Sequence, residues 1–278
     1  MTTPPSPSLE IDPELARRIL TDFIRSEIHR AGFKRGVVAV SGGLDSAVSC
    51  LLAAQALGPE NVLALRMPFR TSPAASLDDA EAVIRASGVA ARTFSITEAA
   101  EPLLHLVPEG DRVRRGNILA RLRMIVLYDQ SAEFGGLVVG TGNKTEVLLG
   151  YTTLYGDSAC ALNPLGDLYK TQVRQLARHL GVSESILAKP PSADLWPGQT
   201  DEGELGFTYA DVDRLLFLLV DERRSPDEVV AAGFERSFVE GVLDRIRRTQ
   251  YKRMQPPIAK LSNRTVGYDF LYMRDWGT

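Results

Sequence analysis

The chain has 278 residues, 44% hydrophobic and 24% charged, with 32 Lys and Arg against 35 Asp and Glu for a formal net charge of −3. These proportions exclude a disordered, collagenous or coiled-coil protein, and near-neutrality gives no global attraction to nucleic acid or acidic membranes. Two cysteines, Cys50 and Cys160, are too few for a disulfide framework or a four-thiolate zinc site, and His29, His105 and His179 are scattered, so a reducing cytoplasm is expected.

The N-terminal MTTPPSPS lacks the basic and apolar regions of a secretory signal, and residues 1–11 read as a flexible tail ahead of one domain over 12–278. Nowhere does the chain reach the roughly 18 apolar residues of a membrane helix. Asp12 caps and Pro13 opens a first helix whose Leu15, Ile19, Phe23, Ile24 and Ile28 share a stripe, with Gly32 after its end. Residues 36–40 are a short unbroken apolar run, the pattern of a strand buried on both faces. Ser41-Gly-Gly-Leu-Asp-Ser46 leads from it into an alanine- and leucine-rich helix ending near Gly58. Residues 62–67 form a second strand candidate, and Ser76 with Asp79 a capping-box start for a helix carrying Ala80, Val83 and Ile84. Residues 92–96 are a further strand candidate. A long helix is expected over about 116–134 with Ile118, Leu122, Ile125 and Val126 facing the core. A strand over 136–140 follows, with Thr141-Gly-Asn-Lys-Thr-Glu146 at its end. Asp167 is the expected cap of a helix over 169–180, which stops at Gly181. Residues 190–206 make an acidic, Pro/Gly-rich loop of about 17 residues, a length typical of lids or spacers. Thr208 and Asp211 start another helix, and residues 234–253 the last long one.

Strands alternating with helices imply an α/β fold, a doubly wound parallel sheet with right-handed crossovers and helices on both faces. Ligands of such sheets bind outside the carboxyl ends of the strands, where both glycine-rich segments lie. In the first segment, paired glycines let the backbone turn tightly and approach a ligand. The free N–H groups at the helix start face an anion, and Ser41 and Ser46 add hydroxyl donors. Asp45 would repel phosphate alone but suits it through a divalent cation, since Mg²⁺ takes a carboxylate plus phosphate oxygens. The spacing is neither that of a Walker A loop nor G-x-G-x-x-G.

SGG-x-DS after a buried strand resembles the pyrophosphate loop of the N-type ATP pyrophosphatases, with an adenine nucleotide α-hydrolase-like fold. Further along stand Gly140-Thr-Gly-Asn-Lys-Thr-Glu146, Gly150-Tyr151, Tyr155-Gly-Asp157, Asp167-Leu-Tyr-Lys-Thr-Gln172, Lys189-Pro-Pro-Ser-Ala-Asp-Leu-Trp196 and Gln199-Thr-Asp-Glu-Gly-Glu-Leu-Gly206. Together they resemble the NAD synthetases over about residues 15–260. The resemblance implies that ATP adenylates the carboxylate of deamido-NAD and that ammonia then displaces AMP to give NAD. It further implies Mg²⁺ as cofactor, ATP, deamido-NAD and ammonia as small-molecule partners, and a homodimer. Carried over by position, Ser41, Gly42, Gly43, Leu44, Asp45 and Ser46 would bind ATP, with Arg66 and Met67 flanking adenine and Thr141, Lys170 and Ser192 also on the nucleotide. Asp45 and Glu146 would hold the metal, and Asp157 would bind or deprotonate ammonium, so that Asp157, Lys170 and Asp45 are the catalytic set. Arg121 and Lys252 would contact deamido-NAD.

The sequence departs from the family in one cluster. Leu154 stands for a lysine, Ala161 for an aspartate and Tyr251 for a histidine, all at substrate-binding positions. The amidated acid is therefore expected to be deamido-NAD held by altered contacts, the alternatives being another acid such as nicotinate mononucleotide, or a non-catalytic nucleotide-binding module. A tRNA-thiolation relative would need a cysteine pair and a basic surface that are missing here. Only about 35 residues precede the first strand, too few for an amidase domain, so direct use of ammonia is expected. Residues 190–206 are expected to act as a lid ordered by ATP.

Overall fold

The computed structural model describes residues 9–192, 196 and 198–267. In chain order the regular elements are α1 Pro13–Arg30, β1 Gly36–Ala39, α2 Leu44–Leu57, β2 Val62–Arg66, α3 Ala74–Ser87, β3 Ala90–Thr93, α4 Thr97–Leu104, α5 Arg112–Phe134, β4 Leu137–Val138, α6 Lys144–Leu149, α7 Lys170–His179, α8 Glu184–Ala188, α9 Asp201–Leu205, α10 Tyr209–Leu216, α11 Pro226–Ala231 and α12 Arg236–Arg248. The strands form one sheet in the order β3-β2-β1-β4, every pair parallel. The order reverses between β1 and β4, so the crevice at their carboxyl ends is the switch point where such sheets bind ligands.

The alternation of β1 splits the core into two layers. Val38 and Val40 pack with Ile24 and Ile28 of α1, Leu52 of α2 and Leu176 of α7. Val37 faces the other way, onto Leu104 of α4 and Leu119 and Leu127 of α5. A third cluster, with Leu149 of α6, Val212 and Leu215 of α10 and Val239 of α12, builds a helical layer beside the sheet. Among the described residues no helix is long and apolar enough to cross a membrane.

Several sequence expectations shift. The α1 stripe divides: Ile24 and Ile28 are fully buried, whereas Leu15, Ile19 and Phe23, four residues apart, form a separate exposed row. Ile125 on α5 likewise points outward, because the buried side of that helix runs through Leu119 and Leu127. The third strand starts earlier, at Ala90, and is exposed along its length, so hydrogen bonding at a sheet edge marks it rather than apolarity. Ser76 does not cap α3. The helix begins after Pro73, and Ser76 is buried in its first turn, accepting from Lys189 Nζ at 2.7 Å. Asp167 does not cap α7; its exposed carboxylate pairs with Lys144 at 3.2 Å, and Gln172 Oε1 accepts the Tyr169 N–H instead. The final helix breaks at Thr249, whose hydroxyl donates to Arg245 O at 2.8 Å. Residues 9–11, expected in the tail, are tied to the domain. Ile11 N donates to Gln175 Oε1 (3.1 Å) and Gln175 Nε2 to Leu9 O (3.0 Å), so a side chain of α7 holds residues 9–11, while residues 1–8 lie outside the described residues.

Candidate active site at the carboxyl ends of β1 and β4

The loop after β1 is shaped by one glycine and two serines. Gly42 has φ +82°, and a Cβ there would lie 2.1 Å from Ser76 O, so no other residue fits. Ser46 Oγ donates to Gly43 O (3.0 Å) and lies 3.1 Å from Ser41 Oγ, closing the turn. Gly43 then opens α2 in extended conformation without a side-chain cap, which leaves its first N–H groups for a ligand. Leu44 is buried in the core but also lines the crevice.

The loop after β4 arrives opposite. Asn143 caps α6 in a capping box, accepting from Glu146 N at 3.0 Å while Glu146 Oε2 accepts from Asn143 N at 3.3 Å. The Asn143 amide donates to Asp45 Oδ1 at 3.0 Å, tying the two loops together. Lys170, the first residue of α7, completes the group: its amine donates to Asp45 Oδ2 and lies 3.4 Å from Glu146 Oε1. It also sits 5.2 Å from the Tyr209 ring centre, a cation–π distance. Burial would neutralise this lysine, but the Asp45 and Glu146 carboxylates hold its amine above the usual lysine range. Burial also pushes Glu146 up, to about 8; Lys170 opposes that rise, and Asp45 and Asp201 add to it. Asp45 and Glu146 thus converge on one ammonium, which pairs with Asp45 while the buried Glu146 carboxyl holds its proton more tightly than a free one.

These residues line a cavity of about 540 Å³ together with Arg66, Met67, Thr141, Asp157, Ser192 and Lys252. Arg66 is turned toward Glu81 and Thr93, and Arg123 donates to Met67 O at 3.0 Å, fixing the strand end. Asp157 is exposed at the cavity edge. Its carboxylate accepts from Thr153 N (2.8 Å) and Thr152 Oγ1 (2.6 Å). Lys252 donates to Gly150 O (2.8 Å) and Thr152 O (2.6 Å), so it closes the same turn. Burial depresses its amine, Asp157 opposes this and Arg245 reinforces it. A smaller cavity of about 140 Å³ also reaches Glu146, Asp157 and Lys252.

A model of the family described as NAD synthase matches residues 16–256. The chain belongs to the NAD synthase family. An NH(3)-dependent NAD(+) synthetase of Trichlorobacter lovleyi is 53% identical over 269 residues, 97% of this chain and 98% of that protein. The structure titled NMN synthetase from Francisella tularensis superposes with a TM-score of 0.80 at 30% identity, covering 91% of this chain and 100% of that one. An NH3-dependent NAD synthetase of Campylobacter jejuni, in complex with nitrate ion, gives 0.76 at 32% identity, with 90% and 100% covered.

The positions expected to bind ATP line the cavity, Gly42 excepted, whereas of those expected to bind the acid only Lys252 does. Arg121, Leu154, Ala161 and Tyr251 are not among the cavity-lining residues. Arg121 donates to Leu154 O at 3.3 and 3.2 Å, Ala161 is exposed, and Tyr251 is 62% exposed. Sequence reasoning assigned no role to Asp201, which is 4% exposed and accepts from Tyr151 OH (3.2 Å) and Tyr209 OH (3.1 Å). Burial raises its carboxyl, with Lys170 and the two tyrosines pulling it back. It also tethers the expected lid, since Asp201 N donates to Pro191 O at 2.9 Å. The clue was present in the Gln199–Gly206 motif, whose carboxylates look in sequence like a solvated acidic run. Of that loop, residues 193–195 and 197 lie outside the described residues.

Proposed function

We propose that this chain is an ammonia-dependent NAD synthetase that converts deamido-NAD, ammonia and ATP into NAD, AMP and pyrophosphate. The observation that carries this reading is the meeting of Asp45, Glu146 and Lys170 at the mouth of a glycine-turned helix start. Simple nucleotide binding needs no such group, whereas a departing pyrophosphate does.

In the first step an oxygen of the nicotinate carboxylate attacks the α-phosphorus of ATP, and the bond to the β-phosphate oxygen breaks. The N–H groups opening α2, the Ser41 and Ser46 hydroxyls and the Lys170 ammonium receive the pyrophosphate charge. In the second step the nitrogen of ammonia attacks the acyl carbon, AMP leaves with the former carboxylate oxygen, and the surplus proton passes to a base. Asp157 is the acceptor for ammonium at the cavity edge, and its present bonds to Thr152 and Thr153 hold it there. Asp45 and Glu146 suit Mg²⁺: they are hard oxygen donors, a bound cation would favour the ionised form of Glu146 that burial disfavours, and phosphate oxygens would complete the shell. When bound, that ion supplies charge for the leaving group. The domain over 12–278, the ATP-ordered lid over 190–206, a cytoplasmic location and a homodimer belong to the same reading; exposed Val113, Ile125 and Tyr128 on α5 support the last.

The test is pyrophosphate release from ATP by the purified chain with each substrate omitted in turn. Release that needs both ammonia and deamido-NAD, with NAD formed in equal amount, supports the reading; ATP bound and never turned over overturns it. Nicotinate mononucleotide is the second acid to try, because Leu154 and Ala161 have lost the family's polar groups and a structure titled NMN synthetase is similar. A higher kcat/KM for the mononucleotide would replace deamido-NAD as substrate.

A further inference from the structure

We propose that Thr145 and Asp213, neither of which lines the cavity, are the positioning pair that sets Lys170 on its two carboxylates. The first N–H groups of a helix have no partner within it. At the start of α7 Lys170 is buried, 5% exposed, and Thr171 half-buried, so their N–H groups call for protein partners. The Lys170 N–H donates to Thr145 Oγ1 at 3.0 Å. The Thr145 hydroxyl in turn donates to Asp213 Oδ1 at 2.5 Å, and Asp213 Oδ2 accepts the Thr171 N–H at 2.8 Å.

One carboxylate on α10, 0% exposed, therefore collects two of the free N–H groups of α7, one directly and one through a hydroxyl on α6. Three helices meet at the backbone of Lys170 and fix where its side chain starts. The same carboxylate sets a negative charge against the positive end of α7. Thr145 suits the relay because a hydroxyl accepts one bond while donating another. Its neighbour Glu146 is the carboxylate that Lys170 approaches, so α6 carries both the positioning group and the group positioned against. A phosphate-binding amine displaced by about 1 Å loses on the order of a hundredfold in rate; a fixed origin for a long, flexible side chain therefore matters to the chemistry.

The proposal rests on Lys170 being catalytic, as read above, and Lys170→Met serves as the benchmark. Thr145→Val keeps the shape and deletes the hydroxyl; Thr145→Ser keeps the hydroxyl; Asp213→Asn leaves one acceptor oxygen for two donors, the Thr145 hydroxyl and the Thr171 N–H. Steady-state kinetics would be measured well below each variant's melting temperature and scaled to folded protein. The expected result is about a 10- to 100-fold fall in kcat for Thr145→Val with a raised KM for ATP, an intermediate fall for Asp213→Asn, and Thr145→Ser within about threefold of the parent. A lower melting temperature with unchanged kcat and KM per folded molecule would overturn the proposal, as would a Thr145→Ser variant as impaired as Thr145→Val. If Thr145→Val does not fold, Asp213→Asn and Thr145→Ser are judged by the same criteria. If Lys170→Met retains full activity, the catalytic reading of Lys170 fails; if Lys170→Met is inactive and Thr145→Val is not impaired, the positioning pair alone fails.

Discussion

The two sides of the cavity are built on opposite plans. On the ATP side, charged groups from three separate elements, Asp45, Glu146 and Lys170, meet side chain to side chain with side-chain exposures of 15%, 19% and 6%. On the side proposed for the acid, Asp157 and Lys252, with Arg121 behind the lining, spend their polar atoms on the backbone and hydroxyls of the 150–157 turn. Buried charges cannot be left unpaired, so the ATP side is locked by its own electrostatics. A turn held by hydrogen bonds from flanking side chains carries no such requirement. Residues such as Leu154 and Ala161 can therefore differ there without unbalancing a buried charge.

The largest expected effect breaks the ATP side. Lys170→Met or Asp45→Asn should lower pyrophosphate release by about 10²–10³-fold, read in a continuous pyrophosphate assay; near-parental turnover would mean that the cluster is merely structural. On the acid side, Asp157→Ala should cost about 10²-fold in kcat and raise the KM for ammonia, whereas Asp157→Asn should preserve the turn, since its amide oxygen can still accept the Thr153 N–H. Equal damage from both would assign Asp157 to charge rather than to loop shape. Smaller still, Ala161→Asp and Leu154→Lys should change the KM for the acid by about tenfold or less and leave ATP binding intact, as measured by isothermal titration. A matching loss of ATP affinity would contradict the separation of the two sides.

The smallest effect is on stability. Glu146 is raised to about 8 in the folded chain against an ordinary value of 4.5, so the folded state holds a proton that the unfolded state has released between those pH values. Stability without ligand should therefore fall as pH rises through that window. Glu146→Gln removes the burden: its ligand-free form should be more stable than the parent at pH 8, with the gap narrowing toward pH 5, as read by thermal melts. The same variant should lose activity, the usual exchange of function for stability at a charged site. A gap that widens toward low pH would reverse the assignment.

Local patterns were legible where one element decides the outcome. The Asp12-Pro13 start, the apolar run of β1 and the Thr208 cap on Asp211 N (3.1 Å) all rest on short-range sterics and hydrogen bonds. The capping boxes at Asn143 and at Ser225, where Glu228 Oε2 accepts from Ser225 N at 2.8 Å, carried the same kind of signal, yet α11 was not foreseen from it. Periodicity misled on α1 and α5, because a helix with two apolar rows does not say which one faces the sheet. Asp201 and Thr145 lie inside motifs that were read and Asp213 outside them, but burial, which gives all three their partners, is set by elements distant in sequence.

By itself, then, the sequence determined the strand–helix alternation, the glycine turn after β1 and the set of groups able to handle phosphate, since these follow from backbone freedom and residue chemistry. Tertiary structure alone decided which charges became partners. Lys170 and Asp45 are 125 residues apart, and their pairing exists only because β1 and β4 end, and α7 begins, at one crevice. It also decided that Lys252 and Arg121 brace a turn, a role set by which carbonyls the fold leaves within their reach.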